Sequence, residues 1–212
     1  MKRTEIDDQN RYLLKQQQDF RKAADIVTDA LIRFDEIEAV AVIGSIAKPL
    51  WKEIPRFRSF RSAGIEVWHE CKDLDLAVWI TSMHRLNDIR RAKDRALKAA
   101  FDAGTGPDVA NHQVEIFLIE PGTDRHLGRV CKYNECPKGK RDCDAPGCGA
   151  TPFNKQVEDF VPWADLLAAA PYSTLYRKGI GRLRSALDLP PTIESPPPPR
   201  RNSPPRRNRL DA

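Results

Sequence analysis

AVAVIGS, residues 39–45, and DLDLAVWI, residues 73–80, are the two stretches whose reading decides the fold. The first is a short apolar run closed by a glycine, the pattern of a buried strand entering a tight turn. The second alternates at its charged start and is continuously apolar afterwards, which predicts a second strand. QVEIFLIE, residues 113–120, predicts a third, with Pro121 and Gly122 turning the chain. Before them, Leu13, Phe20, Ala24, Val27, Leu31 and Phe34 recur at helical spacing, so residues 7–34 predict an amphipathic helix. Ser45 is expected to cap another helix, with Pro49 in its first turn and Pro55 ending it. Residues 56–72 are basic, aromatic and irregular. Ser82 is expected to cap a helix over 84–102 with Leu86, Ile89, Leu97, Ala100 and Phe101 inward, broken by GTGPD. Residues 157–188 read as helical, interrupted by Pro162 and Pro171. The alternation predicts an α/β (α+β) fold, a sheet with helices packed on it.

The 212 residues suffice for one sizeable core with an attachment, and the 41% hydrophobic content means most of the chain folds. No run of about 18 apolar residues occurs, so no transmembrane helix and no membrane partner are expected. MKRTEIDDQNRYLLKQQQDF lacks the apolar centre of a secretory signal, and the expected location is the cytoplasm. The net charge of +5 is uneven. Residues 190–212 carry five arginines against Glu194 and Asp211, leaving 30 basic and 28 acidic residues elsewhere. The body is nearly neutral, so bulk charge does not identify a partner. The Pro/Arg-rich segment 189–212 offers nothing to bury and is expected to be a disordered tail, more solubilising than nucleic-acid-binding.

Three features in order carry chemistry. Gly44-Ser45 ends a strand, Asp73 and Asp75 open the next, and Glu115 lies inside the third. Residues two apart on a strand share a face, so Asp73 and Asp75 project together, and Glu115 joins them if its strand is adjacent. Three facing carboxylates repel unless cations lie between them, and oxygen-only ligands suit Mg²⁺ or Mn²⁺. A glycine before a helix N-terminus permits close approach of a phosphate, to which Ser45 adds a hydroxyl. A competing reading makes Asp73 a turn residue and Asp75 and Glu115 solvated edge positions. The apolar neighbours Val114 and Ile116 favour the site.

VIGSIA, DLDLAVWI and VEIFLI together resemble the nucleotidyltransferase superfamily typified by DNA polymerase β, over about residues 25–120. The resemblance implies a mixed sheet flanked by helices and a catalytic core over 1–120. It implies transfer of a nucleoside monophosphate from a nucleoside triphosphate, with two Mg²⁺ or Mn²⁺ ions, to a protein, nucleic-acid or small-molecule acceptor. Gly44 and Ser45 would hold the triphosphate, Asp73 and Asp75 both metals, and Glu115 the catalytic metal. Two departures stand out. The 28 positions from Ser45 to Asp73 exceed the family's usual dozen and imply an insertion near 50–68, and the third acid is glutamate in place of aspartate. Two other roles stay open: a non-catalytic adaptor that binds nucleic acid on the same fold, and an antitoxin-type enzyme that modifies a partner protein.

Cys131, Cys136, Cys143 and Cys148 follow C-x4-C-x6-C-x4-C among prolines and glycines, and predict one structural Zn²⁺ within a segment 121–155. His126 is a lesser candidate ligand. Residues 156–188 would be helices packed on the core. Cys71 is expected to be a packed thiol. Lys48, Lys52, Arg56, Arg58 and Arg61 interleave with Trp51, Phe57 and Phe60. These side chains either meet the triphosphate, with Lys48 nearest the glycine, or form an amphipathic surface over buried aromatics. His69 and His112 are candidates to flank the site.

Overall fold

A computed structural model describes residues 3–51, 55–130 and 167–191. Its centre is a six-stranded mixed sheet. Chain order runs α1 (Arg3–Leu31), β1 (Ile37–Ile43), a short 3-10 turn (Pro55–Phe57) leading into α2 (Arg58–Ser62), then β2 (Leu74–Ile80) and α3 (Leu86–Asp102). It continues with β3 (Val114–Ile119), β4 (His126–Arg129), the single-turn α4 (Ala170–Ser173), β5 (Thr174–Arg177) and β6 (Gly181–Arg182). Across the sheet the order is β4-β3-β2-β1-β5-β6. β1 and β2 are antiparallel, whereas β2 and β3 are parallel, as the α3 crossover between them requires.

Alternation on the strands separates the sheet's two faces. Val40, Val42, Leu74, Leu76, Val78, Ile80, Val114, Ile116 and Leu118 join Phe20, Val27 and Leu31 of α1 and Ile89 and Leu97 of α3 in the larger core. The other face carries Ala41, Ile43, Ala77, Phe117 and Ile119, with Ala170 of α4 packed there. Both long helices thus lie on one side of the sheet, and the expected flanking is one-sided among the described residues. None of the described helices is long and apolar enough to cross a membrane.

Several local expectations are corrected. No helix begins at Ser45: residues 44–47 form a turn, closed by Lys48 N–H donating to Ser45 O at 3.3 Å. Ser82 does not cap α3. Its hydroxyl accepts the His84 N–H one turn earlier, and the N-cap position belongs to Arg85. Phe101 is 68% exposed, because the α3 stripe that meets the sheet runs through Leu86, Ile89, Lys93 and Leu97. The helix expected over 157–188 is replaced, in its described part, by one turn of helix and a β-hairpin. Pro171 sits in the first turn of α4, and Gly179, at φ 82°, makes the reversal between β5 and β6. Leu189 is buried and Pro191 O accepts the Leu50 N–H at 2.9 Å, so the chain is held to the body up to Pro191. Cys131, Cys136, Cys143 and Cys148, residues 157–166 and 192–212 lie outside the described residues.

Candidate functional site

The parallel pairing of β2 and β3 sets Asp75 directly beside Glu115, and the antiparallel pairing with β1 sets Asp75 beside Ile43 on its other side. Asp73 precedes β2 by one residue and shares the face of Asp75 by alternation. The acids therefore gather at one end of the sheet, on the face opposite α1 and α3. Gly44 completes the wall. Its φ is 69°, in the left-handed region, and a Cβ there would stand 2.5 Å from Asp75 Oδ2. Only a residue without a side chain lets the turn close against this carboxylate.

Electrostatics register the same convergence. Asp75 is half-buried, and its carboxyl is pushed up to about 8, first by burial, then by the negative charges of Asp73 and Glu115. At neutral pH the metal-free group is mostly protonated. Asp73 is exposed. Glu115 is engaged: Arg129 Nη1 lies 3.2 Å from both of its carboxylate oxygens. Arg129, on β4, has no counterpart in the sequence reasoning; its only signal is an arginine on the strand after the third acid.

Other side chains brace the loop. Arg21, buried on α1, donates through Nε and Nη2 to Ile46 O at 3.2 and 3.1 Å, to Pro190 O at 3.1 Å, and through Nη1 to Leu189 O. Burial lowers its pKa to about 10. Gln17, one turn earlier, donates to Lys48 O at 3.0 Å. Gln113 donates to Lys72 O at 3.3 Å and so ties the start of β3 to the start of β2, the two places that supply acids. Gln17 and Arg21 follow Leu13 at four-residue steps, which is the trace they leave in the sequence.

The remaining candidates divide. Ser45 is half-buried in the turn beside Gly44, and Lys48 is exposed three residues on. His69 turns inward, its Nδ1 against Leu50 O and its Nε2 3.6 Å from the Cys71 sulfur, in the helix-side core. Cys71 is a packed thiol, as expected. His112 is exposed in the turn before β3. In the 50–68 segment Arg61 stacks on Trp51 at 4.0 Å, and Arg56 on Phe57 at 4.8 Å, while Phe60 is exposed. The segment's ends close together through His69 N–H donating to Leu50 O at 3.3 Å.

The acids are oxygen-only donors, the ligand chemistry that hard divalent cations take. As placed, no three acidic, His or Cys groups among the described residues stand ready to hold an ion, and Glu115 must leave Arg129 to become a ligand. No family model, no curated protein and no solved structure matches the chain.

Proposed function

We propose that the protein is a metal-dependent nucleotidyltransferase, transferring a nucleoside monophosphate from a nucleoside triphosphate to an acceptor hydroxyl or phosphate. The observation that carries this reading is the meeting of Gly44, Asp75 and Glu115 across three neighbouring strands, with Asp73 on the same face. Asp73 and Asp75 would hold Mg²⁺ or Mn²⁺, with Glu115 joining once released from Arg129. A bound divalent ion supplies charge neutralisation for the phosphates and lowers the pKa of an attacking oxygen. The chain's own groups do the rest. In this reading the Gly44–Ala47 turn would meet the phosphates, Ser45 would donate a hydrogen bond to them, and Glu115 would accept the proton of the attacking hydroxyl.

Two observations favour the adaptor reading: no helix N-terminus follows Ser45, and Arg129 already occupies Glu115. Incubation of purified protein with each labelled nucleoside triphosphate, Mg²⁺ or Mn²⁺ and cell extract separates the two. Label transfer that disappears in Asp73→Asn and Asp75→Asn supports the enzyme. Absence of transfer by the wild type, or equal transfer by Asp75→Asn, rejects it in favour of the adaptor.

A further inference from the structure

The segment between β1 and β2 carries a charge unlike the rest of the body. Residues 55–65 hold Arg56, Arg58 and Arg61 and no acidic residue. Glu66, the next acid along the chain, gives a carboxylate oxygen to Trp68 Nε1 at 2.8 Å. Arg56 and Arg58 are exposed and have no carboxylate partner among the described residues. The 3-10 turn Pro55–Phe57 runs directly into α2 (Arg58–Ser62), so residues four apart stand on one side. Phe57 and Arg61 form the inner pair. Both are half-buried, and Arg61 lies 4.0 Å from the Trp51 ring centroid and 5.9 Å from that of Phe57. Arg56 and Phe60 form the outer pair, and Phe60 is 42% exposed.

Hydrogen bonds hold this arm in place. Ile65 N–H donates to Phe60 O at 2.9 Å, and Gly64, at φ 73°, turns the chain back. Arg61 Nη2 donates to Val67 O at 3.4 Å. Asn10 of α1 then fixes the return, donating to Glu66 O at 2.7 Å and accepting the Trp68 N–H at 3.3 Å. The backbone that presents the exposed groups is thus set before any partner arrives.

Arg56 lies 4.8 Å from the Phe57 ring centroid, and a guanidinium stacked on a ring keeps its N–H edge for an anion. Such edges match phosphate oxygens. Phe60 offers a bare aromatic face on the same side. A membrane contact needs a continuous apolar face, whereas Trp51 and Phe57 are turned inward under Arg61, which leaves one ring. A duplex would meet the arginines through its phosphates, but its stacked bases are closed to Phe60. A single strand supplies an anionic phosphate and an unpaired base at each step. We propose that the 55–65 arm is a docking surface for single-stranded nucleic acid, with Arg56 and Arg58 on phosphates and Phe60 stacked on a base. It does not rest on either reading of the acid cluster.

The test measures binding to the full-length protein by fluorescence anisotropy. The probes are labelled single-stranded RNA and DNA of mixed sequence, the matching duplexes and an acidic peptide, with phosphatidylserine vesicles followed by co-sedimentation. A single strand should bind most tightly. Phe60→Ala should weaken it by about ten-fold, the size of a lost base–aromatic stack, and Phe60→Tyr should recover most of that loss. Arg56→Gln with Arg58→Gln should reduce the slope of log K against log salt by about 1.4, at about 0.7 per phosphate contact. These side chains are exposed, so each variant should keep the wild-type Tm. A preference for RNA or for DNA identifies the sugar, and either supports the proposal. Strands that bind wild type and all variants alike would place the contact elsewhere, as in the Arg-rich segment 189–212, and overturn it. So would no binding of single strands, or duplex binding as tight as theirs. Tighter binding of the acidic peptide or the vesicles that falls in the same variants would give the surface to that partner instead. Label transfer by the wild type bears on the acids alone, so the two readings fail separately.

Discussion

At Asp75 stability and function pull apart. The folded, metal-free protein holds the Asp75 proton up to about pH 8, whereas the unfolded chain releases it near 3.8. Between these values the folded state binds the extra proton, so stability falls as pH rises through that window. The groups that face Asp75 are Asp73 and Glu115, which raise its pKa, and Arg129, which pairs with Glu115. In chelator, Asp75→Asn is therefore expected to be more stable than wild type at pH 8.5, on the order of 2 kcal/mol, and to match it near pH 4. Denaturant unfolding at the two pH values checks this, and a variant less stable than wild type at both would remove the argument. Gly44 gives a second outcome. Gly44→Ala puts a β-carbon into left-handed backbone and against Asp75 Oδ2, and is expected to cost about 2–4 kcal/mol. In an Asp75→Ala background the nearest remaining atom is the Asp75 β-carbon position at 3.6 Å, so the cost should drop to the conformational part, about 1–2 kcal/mol. A double-mutant cycle with no coupling would mean that the turn does not close against the carboxylate.

At the scale of elements, the sequence told most about strands. The runs at 39–44, 73–80 and 113–120 became β1, β2 and β3 with ends within two residues, because each is buried on both faces and reads as continuous apolar chain. The helix after Ser45 failed because a cap residue and a tolerated proline do not supply an apolar stripe, and IAKPLW has none. The β5–β6 hairpin was hidden because TLYR and GR are too short for alternation to show, and β6 is an edge strand of two residues. Sequence also placed Asp73, Asp75 and Glu115 in order, but their adjacency depended on the β2–β3 register, which no local pattern encodes. Arg21 was illegible for a different reason. A polar residue on a core stripe reads as a flaw until its acceptors are known, and these come from residues 46, 189 and 190. Its guanidinium fastens α1, the Gly-Ser turn and the C-terminal end of the body at one point. Arg21→Met fills the space yet leaves those carbonyls without a donor. It is expected to lower stability by about 3 kcal/mol and to weaken triphosphate binding, whereas Lys22→Met, on the exposed side of α1, should do neither. Equal unfolding midpoints for the two variants would show that water or backbone shifts satisfy the carbonyls.

For the whole molecule, the sheet has one face closed by α1 and α3 and another that carries the acids and α4. Residues 131–166 lie outside the described residues. They follow Val130, whose N–H donates to Ile116 O at 2.9 Å beside Glu115, and they lead into Leu167, which packs on the Ala41–Ile43–Phe117 cluster. A Cys₄ zinc site contributes its binding free energy to folding, because the unfolded chain holds no preformed site. The protein purified without added metal is expected to carry one Zn²⁺ per chain, measured by atomic absorption. Titration with a mercurial that takes the thiolates should release that ion and lower Tm. Zinc content should be unchanged in Asp75→Asn, since soft thiolates and hard carboxylates select different metals. Because Arg129 stands two residues before Cys131, zinc release should also change the affinity for Mn²⁺ at the acid cluster, read by paramagnetic relaxation of water protons. Fully reduced protein with no zinc would assign the cysteines another role. Zinc release that lowers Tm and leaves Mn²⁺ affinity untouched would show that the cysteine segment stabilises the fold without steadying the Glu115–Arg129 pair.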